Sequence, residues 1–120
     1  MTSTSTNTAY TAVEIAREND FLRQFLDTFM DLPSRKRRVV LTSSVAESSK
    51  RDQILSAVQA FDAFTPDNDP YEEHDFGKVT VAGEEYFFKI DYYDFWCTGG
   101  ADPYKVRPNR LLTIMHVSEY

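Results

Sequence analysis

Between Phe64 and Asp75 the chain reads FTPDNDPYEEHD, and no regular element accommodates that stretch. Pro66 and Pro70 each remove a backbone donor and fix φ, while Asp67, Asn68 and Asp69 tend to bond their own backbone in turns. A surface loop is predicted, and it divides the chain: helical periodicity dominates before it and strand alternation follows it. Charge concentrates in the same place. From Ala63 to Asp94 nine acids (Asp67, Asp69, Glu72, Glu73, Asp75, Glu84, Glu85, Asp91, Asp94) face two bases, Lys78 and Lys89. The whole chain carries -6, so nearly all of its acidity belongs to this one region.

Ahead of the loop, Ile15, Leu22, Phe25, Leu26 and Phe29 recur at helical spacing between Ala9 and Asp31, predicting an amphipathic helix whose stripe faces a core. Asn19 and Asp20 prefer caps to helix interiors, so a break there and a restart at Phe21 are expected. Pro33 ends the helix. Arg38 to Thr42 (RVVLT) reads as a short buried strand. Ser49 to Asp52 resembles a capping box, opening a second helix from about Lys50 to Phe61 with Ile54, Leu55, Val58 and Phe61 inward.

Behind the loop, Lys78 to Val81 and Glu85 to Tyr93 alternate about a turn at Gly83, which is a hairpin. Tyr86, Phe88, Ile90 and Tyr92 share its core face. Phe87, Lys89, Asp91 and Tyr93 share the other, a half-polar surface suited to a contact. Phe95 to Asn109, with two glycines and two prolines, is an irregular connection. Leu111 to Val117 is apolar on both faces, as a strand in mid-sheet should be. The expected class is α+β: one domain over residues 9–120, with two helices packed on one face of a small antiparallel sheet of about four strands, after a disordered tail over 1–8.

At 120 residues the chain can bury a core without staples, and 42% hydrophobic residues read as globular rather than disordered. Cys97 stands alone, which excludes an internal disulfide framework and fits a reducing cytoplasm. No run approaches the roughly 20 apolar residues of a membrane helix. A pI near 4.8 opposes attraction to phosphate backbones, so direct nucleic-acid binding is disfavoured and a protein partner with a basic surface is favoured. Arg35 to Arg38 is the one dense basic run. Solvated charge beside a strand is its simplest reading, with a nucleic-acid contact or a docking site for the acidic region as alternatives.

Oxygen ligands for a divalent cation are available in Asp67, Asp69 and Asp75, with His74 widening the choice of metal. The spacing is not that of an EF-hand loop, and an Asx-rich turn capping its own backbone explains the same residues. His74, between Glu73 and Asp75, is the candidate acid-base group. His116 reads as structural, and Cys97 shows no basic partner. No cofactor is required, a divalent cation being the one candidate. Asp67, Asp69, Glu72, Glu73, Asp75, Asp91 and Tyr93 are expected to project together as an acidic, partner-binding face.

The strings FTPDNDPYEEHDFG, KIDYYD and LLTIM, a terminal SEY, END at Glu18 to Asp20 and the VVLT strand together resemble a bacterial family, domain of unknown function 3768. Glu72 stands where that family's glycine is expected, and no glycine follows the first strand near Ser44. The resemblance implies a setting on plasmids and phages among anti-restriction genes, and no reaction or catalytic residue. The expected role is inhibition of a host defence complex, a nuclease or CRISPR effector, by a negative surface. The alternatives are a metal-dependent enzyme acting on nucleotides or nucleic acid, and a small plasmid-maintenance or transcriptional factor using Arg35 to Arg38.

Overall fold

The computed structural model describes residues 9–120; the tail expected over 1–8 lies outside them. Helix α1 (Ala12–Gln24) is capped by Thr11, whose hydroxyl accepts the Glu14 amide, and is followed by α2 (Leu26–Asp31). Strand β1 (Arg37–Leu41), a single turn of helix α3 (Ser43–Ala46) and α4 (Arg51–Ala60) complete the first half. Strands β2 (Phe76–Val81), β3 (Glu84–Tyr93) and β4 (Asn109–His116) form the second, closed by a 3-10 turn at Val117–Glu119. The protein is α+β, as its patterning implies.

Four of the local expectations need correction. The sheet is mixed, in the order β1-β4-β3-β2: β4 is antiparallel to β3 but parallel to β1. The long connection after β3 lets β4 enter between β3 and β1, and its apolar residues are those of a strand with neighbours on both sides. Helix α1 does not break at Asn19-Asp20, because Asn19 is fully buried and bonded to other elements; the break falls at Phe25. Phe25 itself is 49% exposed, joining Phe21 and Phe29 in an outer aromatic cluster under Arg37 rather than entering the core. No capping box opens α4: its N-cap is Lys50, without a side-chain bond, and Ser48 accepts the Lys50 amide.

One core cluster joins Leu22, Leu26, Val45, Ile54 and Val58 of the helices to Val79, Phe88, Ile90, Leu112 and Ile114 of the strands. The buried β3 residues Tyr86, Phe88 and Ile90 alternate with half-exposed Phe87, Lys89 and Asp91, so the predicted assignment of the two strand faces holds. Among the described residues no helix is long and apolar enough to cross a membrane.

Two glycines of the hairpin do different work. Gly83 follows Ala82, and both have positive φ, the turn whose twist suits a two-residue hairpin loop. Gly77 needs space instead: a Cβ there would stand 2.6 Å from Phe88 Cζ and 2.9 Å from Phe61 Cε1. Those rings are packed edge to face, so neither can swing away freely. Gly77→Ala should therefore lose about 1–3 kcal/mol in urea unfolding through overpacking. Gly83→Ala, which meets open space, should lose about 1 kcal/mol from backbone conformation alone. A smaller loss at Gly77 than at Gly83 would contradict this packing.

Candidate functional site

The loop after α4 is tied down by its own side chains. Asn68 Oδ1 accepts the Thr65 amide at 2.9 Å, and Asn68 Nδ2 donates to the Ala63 carbonyl at 3.0 Å. Asp69, 5% exposed, accepts the Glu73 and His74 amides at 3.1 and 3.2 Å. These bonds carry the chain into a tight reversal in which Glu72 and His74 both have positive φ, near +58° and +59°. Residue 72, where the sequence pattern expects glycine, thus adopts a conformation glycine favours.

That reversal delivers Glu73 to the inside. Its carboxylate accepts the Tyr92 hydroxyl at 2.7 Å and the Tyr104 hydroxyl at 2.8 Å, while its carbonyl accepts Asn19 Nδ2 at 2.9 Å. Asn19 also donates to the Tyr92 oxygen at 2.9 Å and accepts Arg110 Nε at 2.7 Å. Helix α1, the acidic loop, β3, β4 and the connection after β3 therefore meet at one buried polar junction. Burial, reinforced by the bond to Glu73, pushes the Tyr104 hydroxyl up to about 12 and raises that of Tyr92 further still. Both tyrosines are held as donors.

Beside the junction, Asp20 takes His74 Nδ1 at 3.0 Å and Arg23 Nη2 at 2.9 Å. The imidazole is stacked flat on Phe64, 3.9 Å between centroids, with Nε2 3.7 Å from Asp69. Both ring nitrogens thus face carboxylates rather than open space. Buried Arg23 donates to the Val58 and Gln59 carbonyls at 3.0 Å, capping the end of α4.

The expected acidic face is not one surface. Asp69 and Glu73 turn inward, because backbone amides and tyrosine hydroxyls there need acceptors. Asp67 and Glu72 are exposed and Asp75 is half-buried. Asp91 and Tyr93 alternate with core-facing Ile90 and Tyr92, and so project from the other side of the sheet. There Asp91 pairs with Lys89 at 2.9 Å, and Tyr93 lies under Arg38.

Nor do Asp67, Asp69, His74 and Asp75 form a ligand set. Among the described residues no group of three or more His, Cys, Asp or Glu is placed to hold a metal ion. His116 links Glu84 and Ser118 and caps the closing turn, a structural role. Cys97 does have a basic neighbour, contrary to its sequence reading: Arg38 Nη2 lies 3.8 Å from its sulfur.

Of the run Arg35 to Arg38, Arg35 and Lys36 are exposed as solvated charge ahead of the strand, while Arg37 and Arg38 are half-buried. Arg37 and Arg38 belong to β1, and Arg37 pairs with Glu18 at 3.0 Å. Asn19 and Asp20 were legible as an unusual pair but not as partners of residue 73 or 74. Tyr104 and Arg110 carried no local signal at all.

On the outer side of α1 a groove of about 600 Å³ runs past Val13, Ala16 and Phe21 and is rimmed by Arg17, Asp20, Glu72 and His74. A mixed sheet with helices, joined by a buried polar junction and flanked by this groove, defines a small α+β protein. The chain belongs to the family described as protein of unknown function (DUF3768), whose family model matches residues 41–119. Comparison with curated proteins and with solved structures gives no match.

Asp75 lies between the junction and the sheet, and its carboxyl is pushed up to about 6, chiefly by burial and then by Glu73, with Asp69 and Asp91 adding. A carboxyl whose folded pKa exceeds its unfolded value binds its proton more tightly when folded. Its contribution to stability is therefore complete below about pH 4 and is lost as pH rises to about 6. Asp75→Asn should raise unfolding free energy at pH 7.5 by about 2 kcal/mol, the gain shrinking to near zero at pH 4. A difference independent of pH, in urea titrations of both proteins, would contradict the assignment.

Proposed function

We propose that the protein acts by binding, as a small acidic interaction module that engages a protein partner with a basic surface. The observation that carries this reading is the groove beside α1. Its floor is apolar, its rim holds Glu72 along with Arg17 and the Asp20–His74 pair, and exposed Asp67 and Tyr71 stand on the adjoining loop. Glu72 is kept there at the expense of left-handed backbone, about 1–2 kcal/mol for a residue with a Cβ, and strain of that kind gathers at sites of use.

An apolar floor with carboxylates at its edge suits an arginine or lysine side chain, whose stem packs while its charge pairs. The acidic surface of the sequence reading is thus narrowed to Asp67 and Glu72, Asp20 being engaged by Arg23 and His74. In the mobile-element setting that the resemblance implies, the partner is the basic nucleic-acid channel of a host defence nuclease or CRISPR effector, and binding there is inhibitory.

Purified candidate nucleases, titrated by surface plasmon resonance, provide the test. Binding should weaken as salt rises from 0.05 to 0.5 M, and Asp67→Asn with Glu72→Gln should weaken it at least tenfold, about 1.4 kcal/mol. Binding indifferent to salt and to both substitutions contradicts the reading.

A further inference from the structure

Away from the acidic groove, the N-terminal ends of β1 and β4 border a cleft of about 300 Å³ whose charge runs against that of the whole molecule. Arg35, Lys36, Arg37, Arg107 and Arg110 line it, against the single acid Glu18. The cleft shares no lining residue with the groove on α1. Arg37 and Arg110 are direct partners in the parallel β1-β4 register, so two like charges are held side by side. The one carboxylate is already engaged, by Arg37 Nη2 at 3.0 Å.

Arg110 is the informative residue. It is only 7% exposed, its Nε is fixed by Asn19, and its guanidinium lies over Tyr92. Its terminal nitrogens have no hydrogen-bond partner among the described residues, and no carboxylate lies within ion-pair distance of it. A guanidinium stays charged in a protein, so these nitrogens, which line the cleft, present an unpaired positive charge to it. Burial and the neighbouring Arg37 and Arg107 lower its proton affinity, with Tyr92 and Glu18 the partial offsets. The fold fixes Arg110 at Nε and pairs its terminal nitrogens with no carboxylate, since Glu18 is engaged by Arg37.

We infer that this cleft is an anion site and that its occupant is a phosphate group carried by a small ligand. Guanidinium forks match phosphate oxygens in pairs, and four arginines lining one small cavity supply more donors than a carboxylate could accept. The volume is at the lower end of ligand pockets, enough for a compact phosphate ester rather than a polymer. Phe95, 63% exposed at the mouth, carries Arg35 stacked 4.8 Å from its centroid and Trp96 packed edge to face, and the rest of its ring is left to whatever the phosphate carries. The site is independent of the acidic groove, and either can fail without the other.

Calorimetry on the full chain at low salt, with pyrophosphate, adenosine monophosphate and adenosine as probes, tests the assignment. Saturable one-to-one binding of pyrophosphate or of the monophosphate is expected, with none of adenosine. Tighter binding of the monophosphate than of pyrophosphate identifies a nucleotide-type ester stacked on Phe95, and the reverse order a free oligophosphate. Arg107→Gln and Arg35→Gln, both at exposed positions, should each reduce affinity at least fivefold while leaving thermal unfolding unchanged. Absence of saturable binding by both phosphate probes, or affinity unmoved by those variants, overturns the inference. Binding confined to oligonucleotides, with a steep salt dependence, overturns it as well.

Discussion

A single buried amide ties helix α1 to both the acidic loop and the sheet. Asn19, with no exposed surface on helix α1, spends both amide hydrogens and its oxygen on groups from elsewhere: the Glu73 carbonyl, the Tyr92 hydroxyl and Arg110 Nε. A buried donor or acceptor left unpaired costs about 1–3 kcal/mol, so the helix, the acidic loop and the sheet are constrained to meet in one geometry. Apolar contacts between α1 and the core would tolerate sliding by a fraction of a turn. This junction does not.

The arrangement explains how a loop so rich in acids can exist. Asn68 and Asp69 cap backbone amides that a proline-rich reversal leaves without partners, and Glu73 has its oxygens satisfied by hydroxyl donors rather than by a cation. Asp75 is the member whose carboxyl is pushed up, by burial first and then by the charge of Glu73. What is left for solvent is a reduced set, Asp67 and Glu72, beside an apolar groove. On the opposite accounting, Asn19 positions Arg110 but cannot neutralise it. Asn19 thus bonds both the acidic loop, at the Glu73 carbonyl, and Arg110 of the basic cleft.

Much of the fold was legible in the sequence. Period-2 alternation in Tyr86 to Tyr93 identified the buried face of β3, and the apolar run Leu111 to Val117 identified a central strand, because local pattern follows burial directly. The parallel pairing of β1 with β4 was not legible: strand direction depends on the path of residues 94–108, whose sequence shows only that they are irregular. Asn19-Asp20 misled for a related reason. Intrinsic preference places such residues at caps, and tertiary bonds overrode it at Asn19. The Asx-rich turn was foreseen, but counting carboxylates could not show which point inward. That is decided by Tyr92, Tyr104 and the amides of residues 73 and 74, which only the fold brings near. The cleft around Arg110 was half visible, as the run Arg35 to Arg38. Arg107 and Arg110 stand about seventy positions further along, with no local signal to join them to it.

The central claim, that Asn19 couples the loop to the sheet through a cooperative buried network, is tested most directly by a double-mutant cycle. Urea unfolding of Asn19→Ala, Tyr92→Phe and the double variant gives the coupling free energy of the pair. The account predicts that the two losses are not additive, with a coupling of about 1 kcal/mol or more, because each substitution strands a partner of the other. Losses that add to within about 0.3 kcal/mol would contradict it, leaving Asn19 as one more buried polar residue rather than the hinge pin of the fold.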